Sequence, residues 1–114
     1  MYSQPQHWSP SEKKIARRAF DAALALALGK VFAEFKRKAA AVSTNDAMWE
    51  IEDFLREQRK TINETFDYRY SVLLLVFAGL IRDGLLQQEQ LAGLAEDKLQ
   101  VVRRYLEFAK GTEP

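Results

Sequence analysis

The chain has 114 residues, of which 47% are hydrophobic and 29% charged, with a net charge of +1 and no cysteine. This balance predicts one folded domain and excludes a disordered chain. The lack of cysteine excludes a disulfide framework and thiol chemistry. The longest apolar run, Val72–Ile81, is about half of the ~20 residues that span a bilayer, so we expect no membrane insertion. With no signal-peptide pattern at the start, we expect a cytoplasmic protein.

Charge is distributed unevenly along the chain. Residues 1–42 carry eight Lys and Arg against three acidic residues, whereas residues 43–114 carry nine against thirteen. The first part is therefore basic and the second acidic. Opposite charges on neighbouring segments favour their docking, within one chain or between two chains.

A first long helix is predicted to follow a flexible tail, residues 1–8. Ser9 and Glu12 have the spacing of a capping box, and Pro10 suits the first helical position. The Ala- and Leu-rich run should continue to about Val42, which makes the helix about 50 Å long. Its apolar residues step by four, three, four and seven positions, the seam of a helix that lies along another helix: Leu24, Leu28, Val31, Phe35 and Val42.

The second helix is predicted from about Asn45 to about Glu64, after the N-cap candidates Ser43 and Thr44. Its seam keeps the same stepping but contains two charged residues: Met48, Glu52, Leu55, Arg59, Ile62 and Phe66. Charged residues within a seam fix the register of a helix pair or mark a partner surface.

The remaining pattern predicts two more helices and no strands. A third should run from near Asp67 to just before Gly84 as the buried centre of a small bundle. A fourth should run from about Gln88 to about Ala109. The fold class is therefore all-α, with four helices. The shorter helices cannot cover the apolar stripe of the first, so we predict dimerisation through the first two helices.

Groups that carry catalysis are scarce in this sequence. His7 is the only histidine, so no zinc site can form. The carboxylates between Glu50 and Glu57 are best interpreted as a solvated acidic face. There is no glycine-rich phosphate loop. We therefore expect no enzyme activity, no catalytic residue, no metal and no cofactor.

Two features leave alternatives open. Basic clusters at Lys13–Arg18 and Lys36–Lys38 could contact phosphates, which would make the protein a basic helical dimer that binds nucleic acid. The other interpretation is a solvated helix whose cations pair with the acidic second helix. Trp49, beside Met48, is either a core anchor or an interface anchor, because Trp is enriched both in cores and at binding hot spots.

Several short motifs, in order, resemble the fluorescence recovery proteins, most clearly over residues 46–100. A tryptophan precedes an Asp-Phe-Leu motif and an arginine, and an aromatic-Asp-x-Arg element leads into an apolar helix. The matching residues are Trp8-Ser9, Trp49, Asp53-Phe54-Leu55, Arg59, Phe66-Asp67-Tyr68-Arg69, Ser71-Val72, Val76-Phe77-Ala78, Gly84-Leu85, Leu91, Leu94 and Asp97-Lys98.

The resemblance implies a non-enzymatic homodimer with an elongated stalk, here residues 9–66, and small head domains, here residues 67–110. It implies binding to the photoactivated orange carotenoid protein, mainly to its C-terminal domain, near the thylakoid-attached antenna. Binding would speed return to the orange form and detachment from the phycobilisome, and so restore fluorescence. The implied partner-binding residues are Trp49, Glu52, Asp53, Arg59 and Leu75, and the predicted dimer contacts are Met48, Trp49, Leu28, Val31 and Phe35.

One departure from the family pattern bears on the partner. Glu52 stands where many members have histidine, and residues 62–67 read Ile-Asn-Glu-Thr-Phe-Asp instead of the usual Ile-Asp-Gly-Lys-Tyr-Asp. These changes add negative charge to the implied partner face. A homologue that acts on a different carotenoid-binding domain, or on a related domain, is therefore the alternative.

Overall fold

The computed structural model describes residues 7–112, with side chains up to residue 108. This part of the chain contains four α-helices, with a short 3₁₀ helix, Gln88–Leu91, before the last. They are α1 (Pro10–Ala40), α2 (Asn45–Thr65), α3 (Leu73–Arg82) and α4 (Glu96–Thr112). No strand occurs in the described range beyond one isolated bridge between Ala92 and Leu94. The predicted all-α fold of four helices is confirmed.

Both predicted helix starts are capped as the sequence indicated. At α1, the Ser9 hydroxyl accepts a hydrogen bond from the Glu12 N–H at 3.2 Å, and Glu12 Oε1 accepts one from the Ser9 N–H at 2.9 Å. At α2, Thr44 Oγ1 accepts from the Ala47 N–H at 3.1 Å. Each cap satisfies donors that a helix start otherwise leaves unpaired.

The hydrophobic core joins the first half of α1 to α3 and α4. Alanines at the contact face of α1 leave room for larger side chains from the other elements. The buried members include Ala16, Ala19, Phe20, Ala23, Leu73, Leu74, Phe77, Leu80, Leu86, Leu91, Leu94, Val101 and Val102. The first half of α1 thus packs with the elements that the sequence assigned to the head. The division into a stalk over 9–66 and a head over 67–110 stays a prediction.

Trp8 also belongs to this core, with only 5% of its surface exposed. Its ring lies 5.2 Å from that of Tyr70, and the Lys98 ammonium lies 5.1 Å from the ring centroid. The prediction of a flexible tail is therefore wrong for Trp8, because burial of a large ring outweighs its terminal position. Residues 1–6 of that tail lie outside the described residues, and His7 is exposed.

A buried ion pair fastens the start of α1 to the start of α4. Lys98 Nζ lies 3.2 Å from Glu12 Oε2, and both residues are more than nine-tenths buried. Glu12 Oε2 also accepts the Ala95 N–H at 2.9 Å. Burial alone would raise the pKa of the Glu12 carboxyl, but hydrogen bonds from the Ser9 and Ala95 N–H groups and the Lys98 ammonium lower it from 4.5 to about 2.

Residues 66–72 are not helical where helix 3 was expected: 66–69 are irregular and 70–72 form a turn, in which the Val72 N–H donates to the Arg69 carbonyl at 3.0 Å. The predicted start near Asp67 is therefore wrong. We call residues 66–72 the aromatic strap. Its side chains alternate, and the rings of Phe66 and Tyr68 each meet the Phe20 ring edge-on, at 5.4 and 4.8 Å. The Arg17 guanidinium stacks on Tyr68 at 4.1 Å. Burial raises the pKa of Tyr68 to about 12. Packing with period two along α1 overrides the helical tendency of this segment.

The predicted continuous fourth helix is also wrong, because the segment 92–95 interrupts it. Gly93 has φ +104°, a conformation that other residues rarely adopt, and a Cβ there would lie 2.5 Å from Ile15 Cδ1. The backbone turns here against α1 and then delivers the Ala95 N–H to Glu12. A tertiary contact thus sets where α4 begins.

The second half of α1 and all of α2 extend from this core as an antiparallel hairpin, turning at residues 41–44. The molecule measures 54 × 36 × 21 Å. No residue of α2 is buried. Its inner side, with Phe54 and Ile62, lines a groove of about 440 Å³ against Val31 and Leu85. The hairpin therefore carries most of its apolar side chains at a surface.

Gly93→Ala should destabilise the fold by about 2–4 kcal/mol, since the substitution combines a strained φ with a clash against Ile15. Gly84→Ala is the matched control, because Gly84 also has positive φ (+78°) but nothing lies within 4 Å of a Cβ there. It should cost only about 1 kcal/mol. Urea unfolding measures both. Equal costs would show that Ile15 does not constrain the turn.

Acid should weaken the contact between α1 and α4. Because the folded-state pKa of Glu12 is depressed from 4.5 to about 2, its stabilisation is complete above pH 4.5 and is lost as pH falls toward 2. Glu12→Gln should remove this pH dependence and cost about 3–5 kcal/mol, because Lys98 stays buried without its partner. Urea unfolding of wild type and Glu12→Gln between pH 2 and 7 checks it. Parallel pH profiles would contradict the assignment.

Candidate partner-binding surface

The predicted functional residues of α2 all lie at the surface of the described chain. Trp49 is 57% exposed, and Met48, Glu52, Asp53 and Arg59 are exposed as well. Within one chain Trp49 is therefore not a core anchor, and its role as an interface anchor stays a prediction. A tryptophan this exposed on a capped, regular helix is a feature of binding surfaces.

Helical geometry divides these residues between two adjoining faces of α2. At 3.6 residues per turn, Met48, Leu55 and Arg59 share one face. Trp49 and Asp53 share the next, with Glu52 on the border between them. Arg59 thus lies on the face of α2 that carries Met48 and Leu55, and no ion pair of Arg59 occurs in the part of the chain that the structure describes.

The face with Met48 continues onto α1. Leu28 and Phe32 are 49% and 58% exposed, and they lie beside the face of α1 on which Ala27 and Val31 line the groove to α2. Because two antiparallel right-handed helices turn in opposite senses about their contact, we infer that these side chains and those of Met48 and Leu55 point to the same side of the hairpin. The hairpin thus presents one continuous apolar stripe, the hairpin stripe: Leu28, Phe32, Met48 and Leu55.

The other predicted dimer contacts lie deeper. Val31 and Phe35 are half-buried, and Val31 lines the groove between α1 and α2. Sequence reasoning missed Phe32, although its spacing of four from Leu28 was a usable signal. Phe32 is shielded on one side by the Lys36 ammonium, 4.6 Å from the ring centroid.

Leu75 lies on a different surface from Trp49. It is exposed on α3 and lines a groove of about 330 Å³ with Gly79, Arg82, Tyr105 and Phe108. Phe108, which the sequence analysis did not select, is three-quarters exposed at the edge of this groove. The structure therefore brings Leu75 together with α4, and does not bring it together with the α2 residues.

The basic clusters of α1 are largely engaged within the chain. Arg17 stacks on Tyr68 and lies 3.7 Å from Asp21, and Lys13 lies 5.6 Å from the Tyr70 ring centroid. Glu34 pairs with both Arg37 and Lys38. These cations are therefore only partly available to phosphates.

Within residues 7–112, no three His, Asp or Glu side chains come close enough to hold a metal ion. The helices described there are also too short or too polar to span a bilayer.

The sequence model of a family described as photoprotection regulator fluorescence recovery protein matches residues 8–105. The chain belongs to the fluorescence recovery protein family. The match includes α1, which the motif resemblance had covered only at Trp8-Ser9. Members of this family are regulators of photoprotection, and the predicted family membership is confirmed.

Relatives and solved structures agree with this assignment. The chain is 36% identical, over 91 residues, to the fluorescence recovery protein of Synechocystis sp. PCC 6803, covering 80% of this chain and 84% of the relative. The structure of the Fremyella diplosiphon protein superposes with a TM-score of 0.82 at 33% identity, over 90% of this chain and 99% of that one. The Synechocystis structure gives 0.83 at 33%, over 89% and 99%.

Proposed function

We propose that the protein is a homodimeric regulator that binds the photoactivated orange carotenoid protein and returns it to its resting orange form. The observation that carries this proposal is the exposure of Trp49, Asp53 and Arg59 on α2, in a member of a photoprotection-regulator family. These are the residues that the family resemblance associates with partner binding. We place the protein in the cytoplasm, at the antenna surface.

The homodimer part of the proposal is supported by the hairpin stripe. Four large apolar side chains lie exposed in a row on the hairpin within the described part of the chain. A second copy would bury them by an isologous contact, in which each copy supplies the same stripe. Met48, Leu28, Val31 and Phe35 would lie in or under this contact, and Trp49 at its rim.

The activity requires no bond chemistry. The partner has a resting and a photoactivated state separated by a barrier. A protein that binds the transition state toward the closed resting form more tightly than it binds the open form lowers that barrier. Detachment from the phycobilisome and recovery of fluorescence would follow from the same preference.

The C-terminal domain of the orange carotenoid protein is the proposed docking partner. The alternative partner is a different carotenoid-binding domain or a related domain. Glu52 favours this alternative, because it places a carboxylate beside Asp53 where many family members have a histidine. Nucleic acid is the less supported alternative, since the chain belongs to a family described as photoprotection regulators. The Leu75 groove on the head would supply a second contact to the same partner.

Leu28→Glu should dissociate the dimer, because it places a carboxylate in the hairpin stripe. Leu26→Glu is the matched control: Leu26 is similarly exposed, at 45% against 49%, but lies about 200° around α1. We expect at least a tenfold weaker dimer for Leu28→Glu and little change for Leu26→Glu. Size-exclusion chromatography with light scattering measures the mass. Dissociation by Leu26→Glu alone would place the interface on the opposite side.

Excess protein should accelerate the dark recovery of photoactivated orange carotenoid protein, followed by absorbance. Arg59→Gln should lower this acceleration about tenfold or more, as loss of a hot-spot arginine does. Arg103→Gln, an exposed arginine of α4, should leave it unchanged. If the wild-type chain leaves the recovery rate unaltered, the assignment of this partner is wrong. If Arg59→Gln matches wild type, Arg59 lies outside the site.

A further inference from the structure

Arg56 lies inside the surface that carries Trp49. Its guanidinium reaches Glu52 Oε1 at 2.6 Å and Asp53 Oδ1 at 3.6 Å, one turn back along α2. Arg56 also follows Trp49 by seven residues, so the two share one face of the helix. A single cation therefore bridges both carboxylates of the proposed partner site.

The charge around Arg56 shows what the bridge does. Helix α2 carries six acidic and three basic residues. Glu52 and Asp53 would present two negative charges beside the Trp49 ring, and Arg56 reduces this to one. All three side chains of the bridge are more than half exposed, so it can open without unpacking anything.

We propose that Arg56 is an internal counter-ion that sets the specificity of this site, and that a Lys or Arg of the partner replaces it on binding. The inference rests on the proposed function for the location of the site and adds the chemistry of the partner group. A partner guanidinium could pair with the carboxylate of Asp53 and lie against the exposed ring of Trp49.

The replacement is feasible because an exposed ion pair within a helix is weak. Opening it lowers affinity for a cationic partner by about two- to fivefold relative to a site without Arg56. A partner surface that lacks a cation leaves the bridge closed and incurs no such loss. Arg56 thus lowers affinity selectively for cationic groups, so that only a partner with further contacts at this site binds well.

The first test uses a hexa-arginine peptide as the probe and Trp49 fluorescence as the signal, since Trp8 is buried. Arg56→Gln should bind the peptide about two- to fivefold more tightly than wild type at low ionic strength. Arg103→Gln is the matched control, because Arg103 is also an exposed arginine that pairs with a glutamate, Glu96, and its loss changes net charge equally. Its titration monitored at Trp49 should match wild type.

A triple variant separates the counter-ion role from a general effect of charge. Glu52→Gln and Asp53→Asn combined with Arg56→Gln remove both carboxylates that Arg56 releases, so the gain in peptide affinity should disappear. If Arg56→Gln and Arg103→Gln give the same titration, or if Arg56→Gln binds more weakly than wild type, the proposal is overturned. Circular dichroism of each variant verifies that the helices are intact.

The second test uses photoactivated orange carotenoid protein. Arg56→Gln should bind it more tightly than Arg103→Gln does, and the difference should close as salt is added. Weaker binding would mean that Arg56 contacts the partner directly, which overturns the counter-ion role. If the wild-type chain does not bind this partner but the peptide affinity shifts, the proposed function fails and the role of Arg56 stands. If wild type binds this partner but Arg56→Gln gains affinity in neither test, the proposed function stands and the role of Arg56 fails.

Discussion

The carboxylate of Glu12 is the contact on which the arrangement of the head depends. One oxygen closes the capping box of α1 with the Ser9 N–H, and the other accepts the Ala95 N–H just before α4. Lys98 compensates the buried charge. Glu12 and Ala95, 83 positions apart in the sequence, therefore join the starts of two helices at one side chain. With its donors fixed on both sides, the ion pair has the added hydrogen bonds that make a buried charge tolerable.

The aromatic strap connects the head to the hairpin and packs on α1. Its rings follow α1 backward, from Phe20 beside Phe66 and Tyr68 to Trp8 beside Tyr70. The Trp8 ring in turn lies under the Lys98 ammonium, so one ring contacts both the strap and the ion pair. Because the strap directly follows α2, the position of α3 relative to α2 is set by how these rings pack on α1. The surfaces at Trp49 and Leu75 are thus held at a defined separation by one packed segment.

Local signals in the sequence were sufficient for the helix starts of α1 and α2, where the cap residues lie within three positions of their donors. Local signals were insufficient wherever a contact with residues distant in the sequence determines where a helix begins. The start of α3 depends on rings that pack on α1, and the start of α4 depends on Gly93 meeting Ile15 and on Ala95 meeting Glu12. Helical propensity in residues 66–72 and 88–95 was real but weaker than these contacts.

The same distinction applies to the candidate site. Motif resemblance located Trp49, Asp53 and Arg59, and the structure places all three at the surface of one helix. Arg56 was not selected, because nothing in its residue type separates it from the other surface cations. Its significance comes from geometry: a spacing of four from Glu52 and three from Asp53 brings one guanidinium to both carboxylates.

Helix α2 shows most clearly why we propose a second copy or a partner at the hairpin. Its 21 residues bury no side chain within the described chain. A helix in water gains only marginal stability from propensity, one cap and a few ion pairs, and most helical stability comes from packing an apolar face. On α2 that packing is confined to half-buried contacts with α1, while Met48, Trp49 and Leu55 remain exposed. The helix with the least buried surface thus carries the exposed apolar side chains that the proposed contact with a partner would bury.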